Sequence, residues 1–217
     1  MGNPTVTPLQ EQWHDGGFIV SEANGHISRE TITLTGGAKV LAGTVLGQQT
    51  TGTTAAAAAL GTNSGNGTFG AISVASPAQA GDYVVQFVDA THFVVEDPQG
   101  VEVGHGTTGV AFAAGGLGFT ITAGGNAFVA GDSFKVTVAP GSKKYAPLSL
   151  TAGDGTGVPV AVLYGTKDVT NADKPALVMF RHAELNGSEL IWPAGATANQ
   201  IAAFIAQLAK DKVLLVR

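Results

Sequence analysis

The sequence contains no cysteine among its 217 residues. A disulfide scaffold, a thiolate metal site and a cysteine nucleophile are therefore excluded. Charged residues are also scarce: they make up 12% of the chain, about half of the usual share. Glycine is in excess, with 31 residues, and 44% of the chain is hydrophobic. This composition is too apolar for a disordered chain and predicts a globular protein with many turns.

Long apolar runs are missing as well. The longest, from 54 to 60, is mostly alanine and falls far short of the roughly 18 residues that a membrane span needs. The first eight residues contain neither the basic nor the apolar region of a secretory signal. We therefore expect no membrane partner and synthesis in a cytoplasm.

The net charge of -5 is unevenly distributed. Residues 46–139 contain six acids and Lys135 as the one base, whereas the remaining acids and bases balance at ten each. This asymmetry favours two bodies with different surroundings and argues against nucleic acid as a partner of the acidic one. The alternative is that the acidic surface only keeps a module soluble.

The chain divides by composition. Residues 1–17, with Pro4 and Pro8, have the pattern of an extended arm. Short strand candidates follow over 18–47, too few to close a core alone. Residues 48–68 are rich in Thr, Ala, Gly and Ser, which is typical of a linker, and the alanine run within them has the length of one marginal helical turn.

Residues 68–138 carry a strand pattern throughout, with Gly or Asp between the strands, which predicts a small antiparallel sandwich. Its aromatic residues occupy mostly strand-interior positions, which favours a role in the core over an exposed platform. They are Phe69, Tyr83, Phe87, Phe93, Phe112, Phe119, Phe128 and Phe134.

The segment 143–217 combines further strands with one amphipathic helix. Thr197 and Gln200 have the spacing of a capping box. Apolar residues then follow at helical spacing, which predicts about three turns packed on a sheet. They are Ile201, Phe204, Ile205 and Leu208.

No residue pattern carries catalytic or metal chemistry. The five histidines are scattered without a ligand spacing. Asp154, within a glycine cluster, is typical of a turn and lacks the further acids of a calcium loop. The sequence therefore predicts no enzyme, no metal and no cofactor. The arm, in contrast, can add itself as a strand to the sheet edge of a partner, with Val6, Leu9 and Trp13 as apolar anchors, unless it is merely a frayed terminus.

Several segments of the C-terminal half resemble the head decoration (capsid cement) proteins of lambda-type tailed phages. The most specific is Leu190-Ile-Trp192-Pro193 ahead of the helix. It is preceded in the same order by four others, 146–150, 158–164, 168–170 and 176–185. With residues 17–47, the resemblance covers roughly half of the chain, and about 48–142 departs from it as an inserted β module.

This resemblance implies a homotrimer on the outer surface of the virion. It implies binding to the major capsid protein at local threefold positions of the expanded capsid, which is thereby stabilised against internal DNA pressure. It also implies a β-clip core and an arm that orders on the shell. The strand-forming contacts would be Thr5, Val6, Thr7, Pro8 and Leu9, with Trp13 as an anchor. Trp192 and Pro193 would be core residues or trimer contacts.

The expected fold is therefore mainly β, with a β-clip-like core and one C-terminal amphipathic helix. The expected domains are an arm (1–17), a decoration-protein core (18–47 and 145–217) and a linker with an inserted immunoglobulin-like β-sandwich (48–144). An alternative function is a phage surface module whose insert recognises a host glycan or protein.

Overall fold

A computed structural model describes residues 14–217, and these are mainly β. The strands, in chain order, are β1 (Ile19–Glu22), β2 (Arg29–Leu34), β3 (Lys39–Val40), β4 (Val45–Gln48), β5 (Thr51–Ala59), β6 (Thr68–Phe69), β7 (Ser73–Val74), β8 (Gly81–Phe87), β9 (His92–Glu96), β10 (Glu102–Thr107), β11 (Ala111–Ala114), β12 (Leu117–Thr122), β13 (Ser133–Pro140), β14 (Tyr145–Pro147), β15 (Pro159–Leu163), β16 (Lys167–Asp168), β17 (Lys174–Met179), β18 (Ala183–Leu185) and β19 (Leu214–Val216). One α-helix, α1 (Ala198–Lys212), and two 3-10 turns, Asn24–His26 and Gly187–Glu189, complete the described chain.

The described chain forms two compact units. Unit 1 comprises residues up to 45 together with 161–192 and 197–217, and unit 2 comprises 46–160 with 193–196. In unit 1, β2 pairs antiparallel with β17, which pairs with β15. A second sheet has the order β1-β18-β19, and β3 pairs with β16. Most of the paired strands in unit 1 lie far apart in the sequence. Unit 1 therefore requires both the segment before residue 46 and the segments after residue 160.

The predicted helix is confirmed, and it is slightly longer than expected. Thr197 accepts the backbone N–H of Gln200 at 3.3 Å, while the Gln200 side chain accepts that of Thr197 at 2.9 Å. This capping box satisfies N–H groups that have no partner within the helix. Of the four apolar residues predicted to pack on the sheet, Leu208 is fully buried, whereas Ile201, Phe204 and Ile205 are half-buried.

Unit 2 is built on two sheets that share an aromatic core. One has the order β10-β9-β8-β13-β5, and in the other β12 pairs with β11, β6 and β7. The core cluster contains side chains from both sheets, and Phe87 stacks on Phe128 with ring centroids 3.9 Å apart. Phe69 packs against the cluster and the other predicted aromatics lie within it. Their prediction as core residues is confirmed.

The alanine-rich stretch that was predicted as linker is instead strand β5. It pairs antiparallel with β13 from Ala55 to Ala59. Alanine has a low intrinsic preference for strands, and the local sequence therefore favours a linker or a helical turn. The hydrogen bonds that β13 offers override this preference, because pairing satisfies the backbone groups of both strands.

The ends of this strand pair continue into a ladder toward β4 and β14. Gly141 donates to Thr50 at 3.0 Å, and Lys143 donates to Gln49 at 2.9 Å. Tyr145 then lies opposite Gln48 in the β14–β4 pair. The chain therefore enters and leaves the sandwich at adjacent points.

A buried aspartate joins two loops of unit 2. The Asp132 carboxylate is 4% exposed and accepts backbone N–H groups from Ser64 at 2.9 Å, Gly65 at 2.8 Å and Val129 at 3.2 Å. The hydrogen bond from Ser64 is the largest cause that holds the pKa of Asp132 below its ordinary value. Burial opposes this effect but does not outweigh it.

We expect Asp132→Asn to lower the unfolding midpoint of unit 2 at neutral pH, because an amide nitrogen cannot accept the N–H groups of the loops. Since the folded-state pKa is depressed, the stability contributed by the carboxylate is present above its ordinary pKa and is lost as the pH falls through the folded value. The difference from the unmodified chain should therefore shrink in acid. Urea titrations at neutral pH and at acidic pH measure this difference in stability. Glu96→Gln, an exposed acid of the same unit, serves as the control, and an equal effect of both variants would contradict the prediction.

Candidate functional site

The structure does not describe the residues that were predicted to form the binding arm. Thr5, Val6, Thr7, Pro8, Leu9 and Trp13 all lie outside the described range. The described chain begins immediately after them, at His14, and its first residues are bound to unit 1. The candidate site is therefore built from this arm root, which we define as residues 14–18.

Two hydrogen bonds hold the arm root against the turn that follows β15. The Gly16 N–H donates to the Tyr164 carbonyl at 2.8 Å. One residue earlier, the Asp15 carboxylate accepts the backbone N–H of Thr166 at 3.0 Å. A main-chain bond and a side-chain bond therefore hold residues 15 and 16 against the same turn.

This contact requires glycine at two positions. Gly16 has a φ of +71°, and a Cβ there would lie 2.8 Å from the Tyr164 ring. On the other side, a Cβ at Gly165 would lie 2.7 Å from the Asp15 carboxylate. A side chain at either position would therefore push the arm root away from the turn.

Tyr164 is in turn supported by a cation. The Arg29 guanidinium lies 4.7 Å from the centroid of the Tyr164 ring, and its Nε donates to Glu22 at 2.9 Å. The hydrogen bond with Glu22 is the main reason why the pKa of Arg29 is raised, and the charged guanidinium lies over the ring in a cation–π contact. A strand-to-strand ion pair thereby positions the ring against which the arm root packs.

At the end of the arm root, Phe18 fixes the chain to the core of unit 1. Its side chain is 2% exposed, and its carbonyl accepts the N–H of Asn186 at 2.8 Å. Phe18 and the Asp15–Gly16 contact therefore hold residues 15–18 on unit 1. Nothing in the composition points to this clamp, and residues 15–17 were predicted to be part of the extended arm.

Trp192 and Pro193 were predicted to be either core residues or contacts between subunits. Both are half-buried. The Trp192 ring lies nearly parallel to that of Phe204 on α1, with centroids 6.3 Å apart and an interplanar angle of 13°. Trp192 thus packs within unit 1 on one side and keeps exposed surface on the other, so that the choice between the two roles stays open.

Residues 14–217 hold no group of three or more His, Asp or Glu side chains placed to bind a metal. Asp154 is bound as a turn residue: it accepts the Thr156 hydroxyl at 2.6 Å and the Gln49 amide at 3.1 Å. The buried aromatics of unit 2 do not form the exposed platform that carbohydrate recognition uses. No helix among the described residues is long and apolar enough to cross a membrane.

Comparisons with known proteins give one extensive match. The family model described as bacteriophage lambda head decoration protein D matches residues 8–213. No curated protein matches.

Among solved structures, two crystal structures of FlgL from Xanthomonas campestris are 29% and 25% identical and cover 46% and 58% of this chain, with TM-scores of 0.34 and 0.33. The flagellar hook junction protein FlgK from Burkholderia pseudomallei is 22% identical over 58% of this chain, with a TM-score of 0.34. The matches span 34%, 33% and 23% of those chains.

We expect Gly16→Ala to destabilise the arm root more than Gly25→Ala does. Both glycines have a positive φ, but a Cβ at Gly25 meets nothing within 4 Å. Gly25→Ala should therefore cost only the left-handed backbone penalty of about 1–2 kcal/mol. Gly16→Ala adds the overlap with Tyr164. Hydrogen exchange at the backbone amide of residue 16 should therefore accelerate, after correction for the intrinsic exchange rates of glycine and alanine. Equal exchange at this amide in both variants would contradict the clamp.

Proposed function

The chain belongs to the bacteriophage lambda head decoration protein D family, and on this premise we propose that it is a structural protein of the virion that decorates the phage capsid as a homotrimer. The trimer occupies local threefold positions of the expanded head, contacts the major capsid protein and stabilises the shell against internal DNA pressure. The observation that carries this proposal is the match of the family model to residues 8–213, which includes both units.

The arm is the proposed contact with the capsid. Thr5, Val6, Thr7, Pro8 and Leu9 add an extended segment to a sheet edge of the capsid subunit, and Trp13 anchors its end. The clamp at Asp15 and Gly16 supports this mechanism because it gives the arm a defined starting point. Ordering such a segment costs conformational entropy, which the fixed root reduces.

Many weak contacts together are sufficient to stabilise a capsid shell. A contribution of about 2 kcal/mol from each arm would be small for one isolated subunit, but it acts at every decorated position at once. A trimer links three arms, so that release of one arm leaves two in place. The family role therefore does not depend on a single tight interface.

We assign residues 48–144 as an insertion into a decoration core formed by 18–47 and 145–217. The paired ladder around Gln49 and Lys143 supports this assignment, because the two ends of an inserted module must lie side by side. Unit 2 begins near the first of these limits, at 46, but it extends beyond the second, to 160, and also includes 193–196. The insert is not required for capsid binding under this proposal.

Deletion of residues 2–13 is expected to abolish binding to expanded shells while leaving the trimer intact. Light scattering should give three times the chain mass for each form, with 21.8 kDa as the mass of the full chain. Cosedimentation with expanded and unexpanded shells then measures binding. Retention of the truncated protein on expanded shells would remove the arm mechanism, and a monomeric mass at high concentration would remove the trimer.

Replacement of residues 51–140 by an Asn-Gly turn is expected to preserve shell binding. Thr50 and Gly141 are already joined by a backbone hydrogen bond, so a two-residue turn can connect them. Cosedimentation under the same conditions compares this variant with the full chain. Loss of shell binding in a variant that still forms trimers would show that the insert takes part in attachment.

A further inference from the structure

One edge of the five-stranded sheet in unit 2 has no hydrogen-bonded strand of the described chain beside it over Ala55–Ala59. β5 is the last strand on this side and pairs only with β13 among the strands of residues 14–217. Its nine residues contain no charge and no proline. Edge strands of this length normally carry such residues, because unpaired N–H and C=O groups attract further strands.

The register identifies the backbone groups that face outward. Leu60 donates its N–H to Ser133 at 2.9 Å. Because antiparallel ladders alternate, Ala58 and Ala56 also point their N–H and C=O groups toward β13. The corresponding groups of Ala55, Ala57 and Ala59 therefore point away from the sheet. They form a regular stretch, since the irregularity of this pair lies beside Pro140 at the other end of β5.

The opposite edge of the same sheet is protected in several ways. β10 contains an irregularity between Glu102 and Gly104, which interrupts its regular pairing. Glu102 and His105 are exposed on it and lie 2.8 Å apart. Both features are standard means of preventing strand addition. Within one sheet, then, β10 is blocked, whereas β5 lacks a further paired strand of the described chain over Ala55–Ala59, and its start at Thr51 donates its backbone N–H to another segment, at Asp154.

The charged side chains also differ between the two edges of this sheet. Exposed acids lie on the strands at the β10 side of the sheet, at Asp82 on β8, Glu96 on β9 and Glu102 on β10. Toward β5, Lys135 of β13 lies 3.3 Å from Asp82 and offsets its charge. Two copies can therefore approach through β5 without bringing their acidic strands together.

We propose that the β5 edge pairs antiparallel with the β5 edge of a second copy of this chain, about a twofold axis near Ala57. An identical edge is self-complementary under such an axis. In this register Ala56 lies opposite Ala58 of the second copy, and the exposed Leu60 lies opposite Thr54, on the same face of the strand. Leu60 is 48% exposed in the described chain, and the pairing covers it.

This contact is separate from the proposed trimer, because it has twofold symmetry and uses only unit 2. Pairing of a single strand buries far less than the roughly 1,200 Å² of a stable interface. The contact is therefore weak between free molecules and gains strength when many copies are held close together. The contact joins the backbones of two alanine-rich strands by hydrogen bonds, and it requires only that the side chains be small.

Cysteine pairs test the contact in the full chain, which has no cysteine of its own. Ala56→Cys and Ala58→Cys are prepared separately, mixed and oxidised with oxidised glutathione at high protein concentration. Directly opposite positions that are not hydrogen-bonded bring the two Cβ atoms into disulfide range. We expect the mixed disulfide to exceed the product of Glu102→Cys, an exposed position on the protected edge. A yield no higher than that of Glu102→Cys overturns the proposal.

A second variant separates edge pairing from chance collision. Ala59→Pro removes an N–H that points away from β13, so the ladder of unit 2 is preserved. It eliminates two hydrogen bonds across the twofold axis and is expected to reduce the mixed disulfide about tenfold. Circular dichroism verifies that the variant is folded. An unchanged yield in folded Ala59→Pro overturns the pairing geometry.

Discussion

Pairing between strands that are distant in the sequence is the constraint on which both units depend. β2 pairs with β17 in unit 1, and β5 pairs with β13 in unit 2. Neither pair is supported by a disulfide, since the chain lacks cysteine. Each ladder must therefore be stabilised by the apolar side chains buried beneath it, and the entropy of closing long loops is offset only when the whole unit has formed.

The same constraint is consistent with the proposed insertion of the acidic sandwich into a decoration-protein core. Because the strands around Gln49 and Lys143 run side by side, the backbone leaves the sandwich close to where it entered. A module connected in this way adds surface without lengthening the loops of the rest of the chain. This arrangement suits a structural protein of a virion, whose function requires many identical copies and persistent contacts rather than a reactive centre.

Particular residues show how far sequence reasoning reached. The capping box at Thr197 and the periodic stripe ending at Leu208 are local signals, and α1 was predicted correctly from them. Strands β9 and β12 lie within the segment 68–138 that was predicted to form strands, and their alternation is regular. β10 lies in the same segment, but its glycines interrupt the alternation. β5 was misread because its alanines carry no strand signal of their own.

The arm root and the β5 edge are features that could not be predicted from the sequence. The sequence by itself determined that the chain is mainly β, that it has one helix near its end, that aromatic residues form the core of its acidic part, and that its C-terminal segments have the family pattern. Composition, periodicity and capping are properties of neighbouring residues, and they survive without knowledge of the fold. Only the tertiary structure decided that Gly16 packs against Tyr164 and that β5 lies at a sheet edge. Both depend on partners that lie far away along the chain, and no local pattern records them.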